Sequence, residues 1–429
     1  MDTSSRLRYN EVTLPLYDDE GIPDDLSFEA DDFCVVFVQI DNFGRMCGAN
    51  GNPGGSRIYG GLINRLCELR PLECDAFKLP RTGFLFVMAD RDRELVKEFT
   101  QRIVNATKSP FELDGFSLNV SLSIGVAQSG DKAEGDLVDR AQFAASSAAR
   151  ESGSVFEFYD SNEADRITEE VLLKNDLYDA LDNGEFFLKY QPVVSLDDYT
   201  VCGAEALIRW DHPQRGKISP GAFIPLAEKT GQILFLDRWV VKEAFKQAEF
   251  WYEETGRKLP LGINISAWQF RDNHLIDKVE ELVDKTTLPP SHIKIEVTET
   301  SMMKDVDRTA AVLRELSDLG VQIALDDFGT GHATFEYLSQ FPIDELKIDR
   351  SFLDFDDVYQ KNQKLVDMMI ETGERVGTNI LAEGVETERQ LKFVKNRGCQ
   401  SAQGFLFEKP ILPEKFLELV REQRTLFES

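Results

Sequence analysis

Apolar segments of strand length alternate with amphipathic helical segments throughout the second half of the chain. From Glu185 onwards this alternation repeats about eight times within roughly 250 residues, which predicts a parallel sheet closed into a TIM-like β/α barrel. The predicted strands are Phe186–Val194, Val201–Arg209, Leu261–Ser266, Ile293–Thr298, Val321–Asp327, Glu345–Asp349, Asn379–Glu383 and Gln403–Phe407. The predicted helices between them are Leu234–Thr255, Leu275–Thr286, Val306–Leu319, Asn362–Val376 and Glu388–Arg397.

The first half of the chain mixes strands and helices less regularly. Strands are predicted at Phe33–Ile40, Ala76–Lys78, Gly83–Met88, Leu118–Val126 and Val155–Tyr159, and helices at Ser56–Leu69, Arg91–Ala106 and Gly135–Ser152. This pattern predicts an α+β sandwich of about 130 residues. We therefore divide the chain into an acidic extension (1–31), an α+β domain (32–160), a polar helical linker (161–180) and the barrel (181–429).

The composition excludes several classes of protein. The 429 residues are 42% hydrophobic and 29% charged, enough for two or three domains with cores of their own. The longest apolar run is far shorter than the ~18 residues of a membrane helix, and the N-terminus lacks the pattern of a signal peptide, so we expect a cytoplasmic protein with no membrane partner. A net charge of −28 repels nucleic acid, which we do not expect as a partner.

Cysteine and histidine usage limits the metals that the chain can hold. The six cysteines form no Cys-x-x-Cys pair and the four histidines no His-x-x-x-His pair. We therefore expect reduced thiols and no zinc site built from nitrogen and sulfur. A metal in this protein has oxygen ligands, which predicts Mg²⁺ or Mn²⁺.

Two adjacent carboxylates, Asp326 and Asp327, end an apolar run and precede a glycine-rich turn. Successive side chains of a strand point to opposite faces, and neighbouring anions repel each other unless a cation or strong donors satisfy them. An isolated Asp-Asp-x-Gly is most often a polar strand end, so the other strand ends decide the interpretation.

Polar side chains, mostly carboxylates, also end the other predicted strands of the barrel. Because the active site of such a barrel gathers at the carboxyl ends of its strands, this ring suits two hard cations about 4 Å apart that polarise a phosphoryl group and generate a hydroxide. Arg209 and Lys347 are the cations available to a phosphate or to charge that builds up in the transition state. The ring consists of Glu205, Arg209, Asn264, Glu296, Glu299, Asp326, Asp327, Lys347, Asp349, Glu383, Glu386 and Gln403.

Several members of this ring have a simpler interpretation. Asp349 and Glu299 could be helix caps or ion-pair partners, and Asn264 could cap the following helix. Lys347 could be a surface lysine, and Glu386 a glutamate in the first turn of a helix. The set as a whole is harder to obtain by chance than any one member.

The motif Glu205-Ala206-Leu207-x-Arg209-Trp210 resembles the signature of the EAL domain family, the cyclic di-GMP phosphodiesterases. The resemblance covers residues 177–429. Its further motifs are Tyr190-Gln191-Pro192, His212-Pro213, residues 223–228 (FIPLAE), Asn264-Ile265-Ser266, Glu296-Val297-Thr298-Glu299, residues 326–331 (DDFGTG), Leu346-Lys347-Ile348-Asp349, residues 382–386 (AEGVE) and Gln403-Gly404.

The resemblance implies that cyclic di-GMP is hydrolysed to linear pGpG with two Mg²⁺ or Mn²⁺ ions per active site. The metal ligands that it implies are Glu205, Asn264, Glu296, Asp326, Asp327 and Glu383. The catalytic positions are Glu205, Lys347, Asp327, Glu299 and Glu386, with Lys347 beside the catalytic water. The substrate contacts are Gln191, Leu207, Arg209 and Gln403. The loop at His332, Ala333 and Thr334 departs from the family, which commonly has an aromatic residue and two serines there, and this departure bears on regulation.

The first half resembles a degenerate GGDEF domain, which has the cyclase-like palm fold of the diguanylate cyclases. Its signature hairpin aligns with Pro80–Phe84, which lacks a carboxylate, and Gln39 and Cys47 replace a metal-binding aspartate and a nucleotide-contacting asparagine. A cyclase needs acids to hold magnesium on GTP, so we expect no synthesis. The resemblance implies a regulatory or dimerising role, a homodimer, and GTP or a protein as the candidate partner of this domain.

Two alternative functions stay open. The chain could be a catalytically silent cyclic di-GMP receptor that signals through protein-protein contacts, or a bifunctional cyclase and hydrolase. The complete set of metal ligands favours the hydrolase over the receptor, and Pro80–Phe84 argues against the cyclase.

Overall fold

The computed structural model describes residues 7–9, 12–14, 33–45, 59–71, 74–78, 83–88, 92–113, 116–129, 136–150, 153–271, 274–330, 340–353 and 359–427. The chain divides into two compact units, Met1–Glu169 and Glu170–Ser429. The three boundaries between the four segments derived from the sequence stay predictions. Cys47, Pro80–Thr82 and the loop at 332–334 lie outside the described residues.

The N-terminal unit contains a mixed sheet of five strands in the order β4-β5-β3-β8-β9 and two separate two-stranded hairpins, β1-β2 and β6-β7. The strands are β1 (Leu7–Tyr9), β2 (Val12–Leu14), β3 (Cys34–Ile40), β4 (Cys74–Lys78), β5 (Gly83–Met88), β6 (Phe111–Leu113), β7 (Phe116–Leu118), β8 (Leu122–Gln128) and β9 (Val155–Phe158). The helices are α1 (59–67), α2 (Arg93–Ala106), α3 (Leu137–Ala148) and the first part of α4 (Ser161–Ala180).

Both faces of the five-stranded sheet are covered by helices. The alternating side chains of β3 send Val36 and Val38 into a core shared with α1 and α2, and Val35 and Phe37 into a core shared with α3. A Cβ on Gly125 of β8 would lie 1.9 Å from the carbonyl oxygen of Ala141, so α3 packs directly on the strand backbone. The predicted combination of strands and helices in this unit is confirmed, and the strands form a mixed sheet.

The C-terminal unit closes eight strands into a barrel in the order β10-β18-β17-β16-β15-β14-β13-β11, and β11 pairs again with β10. The strands are β10 (Phe186–Ser195), β11 (Val201–His212), β13 (Leu261–Asn264), β14 (Ile293–Thr298), β15 (Gln322–Phe328), β16 (Glu345–Ile348), β17 (Asn379–Ala382) and β18 (Ser401–Ala402). A further strand, β12 (Gly216–Ile218), forms a hairpin with the end of β11. The predicted barrel is confirmed.

The alternation of strands and helices predicted an entirely parallel sheet, and this prediction is wrong for one strand. Strand β10 runs antiparallel to both β11 and β18, and the other neighbours around the barrel are parallel. A short turn joins β10 to β11, and a turn of this kind can connect only antiparallel neighbours, because parallel strands need a long crossover.

Eight helices in the described residues follow α4 in this unit. They are α5 (Pro220–Thr230), α6 (Ile233–Thr255), α7 (His274–Lys285), α8 (Glu299–Met302), α9 (Val306–Asp318), α10 (Tyr359–Val376), α11 (Glu388–Asn396) and α12 (Pro413–Arg421). The sequence pattern did not predict α5, α8 and α12. Helices α5 and α12 each begin at a proline, which suits the first helical turn, but Pro225 inside α5 is a residue that usually ends a helix.

One predicted strand was wrong, and another was only partly right. The segment Gln403–Phe407 is a turn after the short strand β18, because the amide of Leu406 bonds the carbonyl of Val385 and that of Phe407 returns to Gly404. Its apolar residues are typical of a strand although the backbone reverses. The predicted strand Leu118–Val126 is divided between β7 and β8.

Among the described residues, no helix combines the length and the apolar character that a membrane crossing requires.

Candidate active site

A lysine lies fully buried among carboxylates inside the barrel. The Nζ atom of Lys347, on β16, is 2.7 Å from Glu296 Oε2, 2.7 Å from Glu383 Oε1, 3.4 Å from Asp326 Oδ1 and 4.0 Å from Glu205 Oε2. Burial alone would lower the pKa of this lysine, but the four carboxylates raise its pKa well above the usual value. Lys347 is therefore charged, and the interpretation as a surface lysine is wrong.

Two side-chain amides hold the carboxylate of Glu205, which lies on β11. Asn264 Nδ2 donates a hydrogen bond of 2.6 Å to Glu205 Oε1, and Gln403 Nε2 donates one of 2.5 Å to Glu205 Oε2. Asn264 is the last residue of β13 and Gln403 directly follows β18, so three separate strands determine the orientation of this carboxylate. The amide of Asn264 donates to Glu205, and a capping role for its oxygen stays a prediction.

Three acids of this site, Glu296, Glu383 and Asp327, have a pKa above that of an exposed carboxylate. Burial raises the pKa of Glu296 to about 8, and it raises that of Glu383 well above its usual value. Burial, together with the neighbouring charges of Asp326 and Asp349, raises the pKa of Asp327 to about 6. One lysine does not balance this many buried acids, and a divalent cation would favour their charged forms.

Three of these acids are close enough to share a cation. Asp326, Asp327 and Glu383 each place a carboxylate oxygen within 4.8 Å of the others. Hard divalent cations such as Mg²⁺ and Mn²⁺ prefer oxygen ligands. The donor set and the raised pKa values therefore fit the predicted metals, and Glu205, Asn264 and Glu296 adjoin this cluster.

The backbone at the end of β15 has an unusual conformation. Asp327 has a φ of 55°, in the left-handed region that residues other than glycine rarely adopt. Its N–H bonds Asp326 Oδ1 at 2.9 Å, and its carbonyl accepts a hydrogen bond of 2.8 Å from the hydroxyl of Thr330. These bonds stabilise a backbone that places two successive carboxylates at one site.

A buried glutamate supports the loop that follows β15. Glu299 is 2% exposed, and its Oε2 accepts a hydrogen bond of 3.0 Å from the backbone N–H of Gly329. The N-cap of α8 is Thr298, so the interpretation of Glu299 as a cap is wrong. Asp349, by contrast, does accept a bond of 3.0 Å from the N–H of Ser351, in the 3₁₀ helix Arg350–Leu353.

A cavity of about 240 Å³ opens beside the carboxylates. Its lining residues are Gln191, Glu205, Leu207, Asp326, Asp349, Arg350, Glu383, Gly384, Glu386, Gln403, Gly404 and Phe405. The structure thus brings together most of the predicted site. Arg209 lines a neighbouring cavity of about 290 Å³, which shares Leu207 with the first, and Nη1 of its guanidinium bonds the carbonyl of Ile208.

Phe405 is a member of this site that the sequence pattern missed. Its side chain is 54% exposed although it lines the cavity. The pattern had placed it inside a strand, where it would pack against other elements. Its position directly after Gln403-Gly404 in the sequence was the available signal.

Glu386 also lines the cavity, but it is not in the first turn of a helix. Thr387 is the N-cap of α11, and the backbone N–H of Glu386 bonds Gln390 Oε1 at 2.8 Å. The side chain of Gln390 also donates to the carbonyl of Leu353 at 2.9 Å. Gln390 therefore links the loops that follow β16 and β17.

A comparison with known protein families assigns most of the C-terminal unit, in which these residues lie. Residues 174–410 match the family model of the EAL domain. The chain belongs to the EAL domain family. The matched range of the EAL domain contains every residue of the site described above, and it leaves the N-terminal unit unassigned.

Known relatives extend the similarity beyond the EAL domain itself. The signaling protein YkoW of Bacillus subtilis is 34% identical over 393 residues, which are 91% of this chain and 49% of the relative. The bifunctional diguanylate cyclase/cyclic di-GMP phosphodiesterase MucR of Pseudomonas aeruginosa is 33% identical over 390 residues, which are 90% of this chain and 57% of the relative. The chain with its EAL domain thus spans about half the length of these relatives.

A solved structure of the PaMucR phosphodiesterase in complex with c-di-GMP resembles the EAL domain. It is 41% identical, with a TM-score of 0.55, and the alignment covers 57% of this chain and 99% of that chain.

Proposed function

We propose that the EAL domain of this chain is a metal-dependent phosphodiesterase that hydrolyses cyclic di-GMP to linear pGpG. The observation that carries this proposal is the convergence of Asp326, Asp327 and Glu383 on one cluster beside the buried ammonium of Lys347. The similarity to a phosphodiesterase whose structure contains c-di-GMP supports the choice of substrate.

The residues that would hold two Mg²⁺ or Mn²⁺ ions are Glu205, Asn264, Glu296, Asp326, Asp327 and Glu383. When bound, such cations lower the pKa of a water molecule and polarise the phosphoryl oxygens. The hydrogen bonds from Asn264 and Gln403 fix both oxygens of Glu205 before any cation arrives. This preorganisation reduces the rearrangement that binding requires.

Hydrolysis adds one water molecule across a phosphodiester bond. The water oxygen forms a bond to phosphorus, the bond between phosphorus and the 3′ oxygen breaks, and that oxygen gains a proton while the water loses one. The charged Nζ of Lys347 orients the attacking water and offsets the negative charge that develops on the phosphoryl group. Glu299 contributes by holding the loop that follows Asp327, through its bond to Gly329.

The substrate would lie over the cavity of about 240 Å³. Gln191, Leu207 and Gln403 would contact it there, and the guanidinium of Arg209 would contact a phosphate at the margin. The exposed ring of Phe405 offers a flat apolar surface on which a guanine base can stack. Glu386 lies at the same cavity and would help to hold the water and the cations.

We assign a regulatory role without cyclase activity to the N-terminal unit, as a degenerate GGDEF domain. Gln39 on β3 supplies a neutral amide where the resemblance places a metal-binding aspartate. Asp41, just after β3, accepts a hydrogen bond of 2.6 Å from the hydroxyl of Ser123. The homodimer, and GTP or a protein partner for this unit, stay predictions.

The test is an assay of the full chain with cyclic di-GMP, with Mg²⁺, Mn²⁺ or EDTA, and with or without GTP. Chromatography should show pGpG in the presence of either metal and none in EDTA. Glu205→Ala should abolish the product while the circular dichroism spectrum stays unchanged. If the chain binds cyclic di-GMP tightly but leaves it intact in every condition, it is a receptor and the proposal is wrong. Formation of cyclic di-GMP from GTP would instead show a bifunctional enzyme.

A further inference from the structure

A buried carboxylate outside the catalytic cluster lies on helix α6. Asp237 is 5% exposed, and its neighbours on the same face of the helix, Leu236, Val240 and Val241, are buried apolar side chains. A carboxyl group in such surroundings is costly unless hydrogen bonds satisfy it. Its partners therefore indicate what it does.

Two hydrogen bonds connect it to Ser266, the second residue after β13 ends. Asp237 Oδ2 accepts a bond of 2.6 Å from the hydroxyl of Ser266 and one of 3.3 Å from the backbone N–H of the same residue. Ser266 is two residues after Asn264, whose amide holds Glu205.

The segment that contains these residues is fixed from two sides. The N–H of Ile265 bonds the carbonyl of Glu296 at 3.0 Å, which ties the segment to β14. The side chain of Gln269 donates to the carbonyl of Leu234 at 3.1 Å, which ties it to α6 next to Asp237. The position of the backbone turn after Asn264 therefore depends on the position of α6.

The turn borders a cavity on the side of α6. The cavity of about 290 Å³ lies between the turn and the helices, and its lining includes Asn264, Ser266, Leu236, Asp237 and Val240. A turn that borders a cavity can shift into it when its hydrogen bonds are removed. Asp237 and Ser266 both line this cavity, and the bonds between them lie at its edge.

We propose that Asp237 is a positioning residue, which aims Asn264 at Glu205 and at the cations by holding the turn at Ser266. This inference rests on the proposed function for its catalytic consequence only. Its structural claim concerns the affinity of the site for a divalent cation, which can be measured without substrate.

The test compares four variants of the full chain by calorimetric titration with Mn²⁺ and by the kinetics of cyclic di-GMP hydrolysis. Asp237→Ala should weaken Mn²⁺ binding by about 10- to 100-fold and lower kcat more than it changes KM, as the loss of an outer partner of a metal ligand typically does. Asp237→Asn keeps an oxygen that can accept from Ser266 and should restore most of the affinity.

The other two variants separate positioning from stability. Val240→Ala removes apolar packing from the same helix face and the same cavity, so it should lower the melting temperature and leave Mn²⁺ binding unchanged. Ser266→Ala removes the bond of 2.6 Å and keeps the carboxylate, so it should weaken Mn²⁺ binding several-fold. It provides the same test if Asp237→Ala does not fold.

Unchanged Mn²⁺ affinity in Asp237→Ala or in Ser266→Ala would overturn the inference, and so would an equal loss in Val240→Ala. If the unmodified chain binds Mn²⁺ but hydrolyses no cyclic di-GMP, the proposed function fails and the affinities still decide the role of Asp237. Absence of Mn²⁺ binding by the unmodified chain would overturn both the proposed function and the positioning role of Asp237.

Discussion

Gly262 leaves the space that the carboxylate of Glu296 occupies. The two residues lie on the adjacent parallel strands β13 and β14, and a Cβ on Gly262 would lie 2.0 Å from Glu296 Oε1. A flexible surface side chain could move away from such a contact. Glu296 cannot do so easily, because it is 3% exposed and bonded to Lys347 at 2.7 Å.

Gly262→Ala should therefore abolish most of the hydrolysis of cyclic di-GMP, because it displaces Glu296 from Lys347. We expect a loss of about 1–3 kcal/mol in the free energy of unfolding, as for an overpacked core. Turnover and urea unfolding of the variant measure the two effects. Gly221→Ala is the matched control, since in the described part of the chain the nearest atom that its Cβ would meet, apart from its chain neighbours and its own helix backbone, is Ser219 Oγ at 3.7 Å. Full activity of Gly262→Ala would show that hydrolysis does not require Glu296 in its present position beside Lys347.

Lys347→Met should eliminate turnover. It removes the charge that faces four carboxylates, and breaking a buried pair typically costs about 3–5 kcal/mol of stability. The barrel offers a matched control in Lys294, which is 8% exposed and lies 2.6 Å from Glu345. Neither Lys294 nor Glu345 lines the catalytic cavity, so Lys294→Met should lose stability but retain the kcat of its folded fraction. Equal losses of kcat in the two variants would contradict a catalytic role for Lys347.

Phe405→Ala should raise KM for cyclic di-GMP with a smaller change in kcat. Stacking of a base on an aromatic ring contributes about 1–3 kcal/mol, which corresponds to about 5- to 150-fold in affinity. Phe250→Ala, at an exposed phenylalanine of α6 that does not line the cavity, should leave KM unchanged. An unaltered KM in Phe405→Ala would remove this residue from the substrate site.

The metal-free chain should become less stable as the pH rises from about 5 to about 8. Burial raises the pKa of Glu296 to about 8 and that of Asp327 to about 6, whereas both groups ionise near pH 4 in an unfolded chain. Between these values the folded state binds more protons than the unfolded state. The stabilisation is therefore complete below about pH 4 and is lost as the pH rises through the folded pKa values. Urea unfolding in EDTA at several pH values measures the slope.

Glu296→Gln is the control for this slope, because it removes the group with the pKa of about 8 and should flatten the upper part of the curve. Added Mn²⁺ should reverse the trend, since the cation binds deprotonated carboxylates and its affinity rises with pH. A slope that is the same in the variant and in the unmodified chain would assign the effect to the general acidity of the protein.

The sequence by itself predicted the barrel and most residues of the candidate site, but not Phe405. Strand and helix periods are local properties of the chain, so the alternation after Glu185 predicted eight strands, and the charged residues at their ends predicted the ring around Lys347. The distances within that ring were not predictable, because they depend on the register of neighbouring strands.

Only the tertiary structure decided how this ring is held. The antiparallel direction of β10, the turn at Phe405 and the bond between Asp237 and Ser266 each depend on what a segment meets across the fold. Asp237 is a single acid on an otherwise apolar helix face, and nothing in its local sequence indicates its partner. Such contacts join residues that are distant along the chain, and a local pattern carries no information about them until packing brings the elements together.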